Sequence, residues 1–107
     1  DAPDYYPAWE RLAAIYRQSE DKKDEYLRVA REMTRLFPQD AVGFGYLGEA
    51  HLQKNQREEA VKAFNQAFVI APDYSFAGYS LFDLYFEDGE TENCQSVLQT
   101  LEEFVKE

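Results

Sequence analysis

The residue types that could perform catalysis are few in this sequence and poorly placed for it. His51 is the only histidine and Cys94 the only cysteine among 107 residues. The adjacent acids Glu58 and Glu59 would point about 100° apart on a helix, so they cannot share a proton. No set of side chains has the spacing of metal ligands, and no glycine-rich segment matches a nucleotide fingerprint. The sequence therefore predicts no enzyme, no metal site and no cofactor.

Negative charge dominates the composition and is concentrated near the end of the chain. The formal net charge is −10, and residues 75–107 carry eight acids and one base. Such a surface repels phosphate groups, which disfavours nucleic acid and anionic membranes as partners and leaves a basic or neutral protein. A plainer interpretation is that the acidity only maintains solubility.

Signals that would direct the chain to a membrane or a secretory route are not visible in the sequence. It has no run of eighteen apolar residues and no basic leader followed by an apolar segment. A single cysteine cannot form an internal disulfide, which is typical of a reducing compartment. We predict a cytoplasmic location.

Two prolines reveal an internal repeat. Pro38 and Pro72 each close an amphipathic stretch and lie 34 residues apart. A shift of 34 aligns similar residues: Leu47 with Leu81, His51 with Tyr85, Asn55 with Gly89, Ala60 with Cys94, Phe64 with Leu98, and Ala67 with Leu101. The periodicity predicts helices at 7–18, 22–37, 41–54, 57–71, 75–87 and 91–105.

The spacing within residues 41–74 also predicts how two of these helices pack. One helix carries a stripe of Phe44, Leu47, Gly48 and His51, and the next carries Ala60, Phe64 and Ala67. Because residues three and four apart share a helix face, the two stripes are expected to face each other. Gly48 would allow close approach and Phe64 would fill the space beside it. We interpret His51 and Cys94 as buried packing residues.

This segment resembles a tetratricopeptide repeat. The positions that carry the resemblance are Phe44, Leu47, Gly48, Ala60, Phe64, Ala67 and Pro72. Residues 6–40 and 75–107 resemble flanking repeats, although Tyr26 and Phe82 replace the usual small residues and Lys106 the usual proline. The resemblance implies an all-α, right-handed α-solenoid of antiparallel helix pairs, with about six helices in one domain spanning residues 1–107.

The two ends of this array are predicted to differ. Residues 2–5, with the sequence APDY, recur at 71–74, so residues 1–5 are expected to be the tail of a preceding repeat in a longer parent chain. The last predicted helix shows one apolar stripe opposite a polar face, which is typical of an end cap. The stripe consists of Cys94, Val97, Leu98, Leu101, Phe104 and Val105.

The resemblance also implies a binding surface, because the first helix of each repeat in such proteins lines a concave groove. Five positions of each helix would face the ligand: Pro7, Glu10, Ala14, Arg17 and Gln18; Val42, Gly45, Glu49, Leu52 and Gln53; Phe76, Tyr79, Asp83, Phe86 and Glu87. A subclass grips carboxylate termini through Lys and Asn, where this chain has Glu10 and Ala14, so that use is disfavoured.

The predicted function is a non-catalytic interaction module or scaffold. Its partner would be a protein or peptide with basic residues and an apolar anchor, which Phe76, Tyr79 and Phe86 would hold while Glu49, Asp83 and Glu87 set the charge preference. Two alternatives remain open. The aromatic residues could pack on a flanking helix of the parent chain, or the array could be a structural, regulatory or self-association segment of a larger enzyme or assembly.

Overall fold

Six helices make up the computed structural model, which describes residues 5–105. They are α1 (Tyr6–Arg17), α2 (Lys23–Leu36), α3 (Ala41–Gln53), α4 (Arg57–Ile70), α5 (Ser75–Glu87) and α6 (Thr91–Phe104). Each boundary lies within one residue of the prediction. Close packing runs in chain order, from α1 with α2 through to α5 with α6. The all-α fold of antiparallel pairs is confirmed, whereas most of the predicted 1–5 tail and Lys106 lie outside the described residues.

The turns inside the second and third helix pairs have the same construction. Asn55 has φ 60° and Gly89 has φ 72°, the left-handed values for which these residue types are suited. One residue later, the amide of Gln56 donates to the carbonyl of His51 at 2.9 Å, and that of Glu90 donates to Tyr85 at 2.9 Å. The predicted turns and the 34-residue offset between them are therefore confirmed.

The predicted contact between the stripes of α3 and α4 is also present. A Cβ atom added to Gly48 would stand 2.7 Å from ring carbons of Phe64, which is itself only 1% exposed. His51 is buried, and its Nδ1 lies 2.7 Å from Oε1 of Gln56. Cys94 is buried as well. The interpretation of these two residues as packing residues agrees with the structure.

The predicted apolar stripe of α6 is partly wrong. Cys94, Val97 and Leu101 are buried, but Leu98 is 47% exposed and Phe104 is 46% exposed. Since the two exposed residues are six positions apart, they stand about 120° apart around the axis, with the buried stripe between them. In the preceding repeat the residue equivalent to Leu98 is Phe64, which contacts Phe76 of the next helix. No helix follows α6 within residues 5–105 to cover Leu98.

Candidate peptide-binding surface

The predicted ligand-facing positions differ in exposure from one helix to the next. On α1, Glu10 is half-buried and the remaining four are exposed. On α3, Gly45 is buried and the others are half-buried: Val42, Glu49, Leu52 and Gln53. All five positions on α5 are exposed: Phe76, Tyr79, Asp83, Phe86 and Glu87. Accessible positions therefore lie on both α1 and α5, and the exposed aromatic side chains among them are all on α5.

Gly45, one of the positions predicted to face a ligand, is buried beneath Tyr74. A Cβ atom added there would stand 2.6 Å from the hydroxyl oxygen of Tyr74, which lies across the helix at this point. Tyr74 precedes α5 and was not among the predicted site residues. Its covering role depends on the close approach that a glycine permits, and the repeat pattern gives no signal for that contact.

Glu49 is engaged within the protein. Its Oε1 accepts a hydrogen bond from the hydroxyl of Tyr26 at 2.7 Å and lies 2.7 Å from Nε of Arg17. The side-chain amide of Gln53 donates to the carbonyl oxygen of Arg17 at 3.3 Å. These contacts tie α1, α2 and α3 together. Three of the ten positions predicted to face a ligand on α1 and α3 take part in this network: Arg17, Glu49 and Gln53.

Tyr26 shows why a large residue is tolerated where the repeat usually has a small one. The side chain is fully buried, and its hydroxyl reaches the carboxylate of Glu49. Burial, followed by the hydrogen bond with Glu49, raises the pKa of Tyr26 well above its usual value. The ring also packs edge-on against Tyr46, with centroids 6.4 Å apart.

Further tyrosines and carboxylates continue this polar region towards the starts of α1 and α3. Burial and the neighbouring Asp40 carboxylate raise the pKa of Tyr6. Burial, followed by the charge of Glu10, raises that of Tyr46. Asp40 also accepts a hydrogen bond from the amide of Val42 at 3.1 Å, which caps α3. Phenols and acids thus lie together at the junction between the first two helix pairs.

The surface of α5 is aromatic. Phe76 packs edge-on against the buried Phe64, with centroids 5.8 Å apart, and lies 5.9 Å from the ring of Tyr74. Phe86 is 70% exposed and stacks on Phe82, with centroids 6.3 Å apart and rings within 8° of parallel. Tyr79 is 47% exposed. Phe76 and Phe86 are thus supported by other rings, and all three side chains reach solvent.

The acids on α5 are not equivalent. Glu87 pairs with Nη2 of Arg57 at 2.6 Å, and Asp88 lies 3.2 Å from Nε of the same guanidinium. The same Nη2 also donates to the carbonyl oxygen of Leu84 at 3.2 Å. Asp83 is exposed and forms no ion pair within residues 5–105. Of the three predicted acids, Asp83 is the one without an ion pair among the described residues.

Metal sites and membrane-spanning helices are both absent from the described part of the chain. Residues 5–105 contain no group of three or more His, Cys, Asp or Glu that could hold a metal ion. None of the six helices is long and apolar enough to cross a membrane.

Comparison with known proteins places one repeat in a family. Residues 41–74 match the tetratricopeptide repeat model. A comparison with curated proteins found no significant match. The matched segment comprises α3, α4 and the residues leading to α5, and the six antiparallel helices are consistent with such repeats on both sides. The matched repeat is a protein–protein interaction module of a typically non-catalytic kind.

Proposed function

We propose that the chain binds a peptide segment of another protein across α1, α3 and α5, with the aromatic side chains of α5 as the hot spot. The observation that carries this proposal is the exposure of Tyr79 and Phe86 on a helix whose other face is buried. Large aromatic side chains bury much area at little conformational cost, and they dominate binding energies at interfaces. Phe82 and Phe64 support Phe86 and Phe76 from behind, which limits the cost of ordering them.

Charge selects the partner in this proposal. Asp83 stands one turn from both Tyr79 and Phe86, so a peptide cation beside an apolar anchor would contact all three. Arg17 and Arg57 already balance Glu49 and Glu87, and these pairs fix the neighbouring backbone rather than contribute free charge. A peptide with a carboxylate at the anchor would meet Asp83 and be rejected.

Selection from a displayed library of random twelve-residue peptides would test the proposal on the whole chain. We expect enrichment of sequences with an aromatic or aliphatic residue next to Lys or Arg. Binding should weaken at least about tenfold in a Tyr79→Ala, Phe86→Ala variant. Ile15→Ala is the matched control, because Ile15 is 62% exposed but is not a predicted contact. Equal affinity for both variants would contradict the proposal.

Self-association is a second candidate, favoured by the exposure of Leu98. Its equivalent, Phe64, is buried under Phe76 of the following helix, whereas Leu98 is 47% exposed. A second copy could supply an apolar residue there. Sedimentation equilibrium of wild type and Leu98→Glu would decide: a concentration-dependent dimer that Leu98→Glu abolishes supports self-association, and a wild-type monomer excludes it over the concentrations measured.

A further inference from the structure

A cleft of about 330 Å³ lies between α4 and α6, apart from the surface proposed for the basic peptide. Tyr85 of α5 also lines it. The remaining lining residues are Asn65, Phe68, Val69 and Pro72 on one side and Asn93, Ser96, Val97 and Thr100 on the other. None of these nine residues belongs to the predicted ligand-facing set. The cleft is therefore a separate candidate site.

The lining of this cleft is uncharged in a protein of formal net charge −10. It combines two side-chain amides and two aliphatic hydroxyls with the apolar surfaces of Phe68, Val69 and Val97. Val69 is 67% exposed. A charged ligand group would lose its hydration here without gaining an opposite charge, which is unfavourable.

The preceding repeat shows that this neutrality is not a general property of the fold. A cleft of about 400 Å³ is lined by Phe44, Leu47, His51, Glu59, Lys62, Ala63 and Gln66. Five of these residues lie 34 positions before residues that line the α4–α6 cleft. Glu59 and Lys62 correspond to Asn93 and Ser96. On α2, Arg31 and Arg35 occupy the positions equivalent to Asn65 and Val69.

We propose that the α4–α6 cleft binds an extended, uncharged peptide segment. The Asn65 amide can donate to a peptide carbonyl and accept from a peptide N–H at once. On the opposite wall, Nδ2 of Asn93 donates to Oε1 of Glu90 at 2.6 Å, which leaves the side-chain carbonyl oxygen of Asn93 as an acceptor for a peptide N–H. Val69 and Val97 offer apolar contact to a small side chain. Side-chain amides on both walls suit a backbone, which repeats one donor and one acceptor per residue.

An adjoining cavity of about 630 Å³ limits where charge is tolerated. It shares Tyr85 and Asn93 with the cleft and is also lined by Arg57, Glu58, Val61, Lys62, Asp88 and Glu90. Because charges of both signs line that cavity, peptide residues that flank the bound segment on this side are tolerated with either charge. The uncharged requirement applies to the residues between Asn93 and Pro72.

The test uses the random peptide library with a subtraction step. From the peptides that bind wild type, those that also bind the double variant Asn65→Arg, Val69→Arg are removed. This cleft variant carries the residue types found at positions 31 and 35. Both substituted residues are exposed. The matched control, Gln95→Arg, Gln99→Arg, adds the same charge at exposed positions of α6 outside the cleft lining.

The proposal requires recovery of peptides with an uncharged stretch. They should bind the cleft variant at least about tenfold more weakly than wild type, and bind both Gln95→Arg, Gln99→Arg and Tyr79→Ala, Phe86→Ala like wild type. Ser96→Lys, which copies position 62, provides a single-residue check if the double variant unfolds. Failure to recover such peptides, or equal binding to the cleft variant and the charge control, would overturn the proposal.

Discussion

The ligand-facing positions predicted on α1 and α3 form one surface, and those on α5 form a second. The two surfaces occupy equivalent positions in successive repeats but differ in the interactions of their side chains. On α1 and α3, Arg17, Glu49 and Gln53 take part in one hydrogen-bonded network with the buried Tyr26. On α5, Tyr79 and Phe86 present exposed rings. The first helices of successive repeats thus carry a hydrogen-bonded network at the junction of two helix pairs in one place and exposed aromatic rings in the other.

Under the proposed function, substitutions in the α1–α3 network are expected to act mainly on folding, and those at the aromatic residues of α5 mainly on binding. Buried polar networks are costly to disrupt, because a group left without its partner has lost water as well. Exposed aromatic residues contribute little to folding and much to an interface. Stability and binding measurements on the same variants can therefore separate the two surfaces.

The largest expected contrast is between Tyr26→Ala and Phe86→Ala. Loss of a fully buried aromatic side chain should lower the free energy of unfolding by about 3–5 kcal/mol. Phe86 is 70% exposed and loses mainly its stacking on Phe82, so its removal should cost about 1 kcal/mol or less. Urea denaturation of both variants gives the comparison. Similar costs would show that α5 is as structural as the first surface.

Substitution of glycines within α3 tests how tightly this helix packs against its neighbours. Gly48→Ala would place a Cβ 2.7 Å from the Phe64 ring and should destabilise by about 1–3 kcal/mol before a small helix-propensity gain. Gly43→Ala is the control, because its Cβ would meet Met33 at an ordinary 3.6 Å. That variant should gain about 0.5–1 kcal/mol. Thermal denaturation measures both, and stabilisation by Gly48→Ala would contradict the packing described.

The hydrogen bond from Tyr26 to Glu49 is expected to have a smaller effect. Tyr26→Phe keeps the ring and removes the hydroxyl, which should lower the free energy of unfolding by about 1 kcal/mol. A double-mutant cycle with Glu49→Ala, which removes the acceptor, isolates the pair, and a coupling energy above about 0.5 kcal/mol is expected. If the two costs simply add, the contact does not join the helices energetically.

Alkaline pH provides the mildest test. Burial, followed by the charge of Tyr46, raises the pKa of Tyr74 to about 12. In the unfolded chain this phenol ionises near its ordinary pKa of about 10, whereas the folded chain keeps the proton up to about pH 12. The free energy of unfolding is therefore expected to fall as the pH rises from about 10 to 12. In urea titrations across this range, Tyr74→Phe should lose less stability than wild type. Identical slopes would count against burial of Tyr74 over Gly45.

The fold was predictable because its signals are local. Helix ends are marked by Asn55, Gly89, Pro38 and Pro72, each of which lies within a few residues of the end that it marks. The six predicted helices agree with the structure to within one residue. The candidate site was less predictable from the sequence. The pairing of Tyr26 with Glu49 and the position of Tyr74 over Gly45 depend on contacts 23 and 29 residues apart, and chemically similar side chains could have packed otherwise. The exposure of Leu98 likewise depends on which helix lies beyond α6.

The most direct measurement of the division between the two surfaces is calorimetric titration of one library-selected basic peptide into wild type, Phe86→Ala and Tyr26→Phe. The expected result is at least about tenfold weaker binding to Phe86→Ala with a nearly unchanged free energy of unfolding, and near-wild-type binding to the less stable Tyr26→Phe. Unchanged affinity for Phe86→Ala, or an equal loss for Tyr26→Phe, would contradict the assignment of binding to α5.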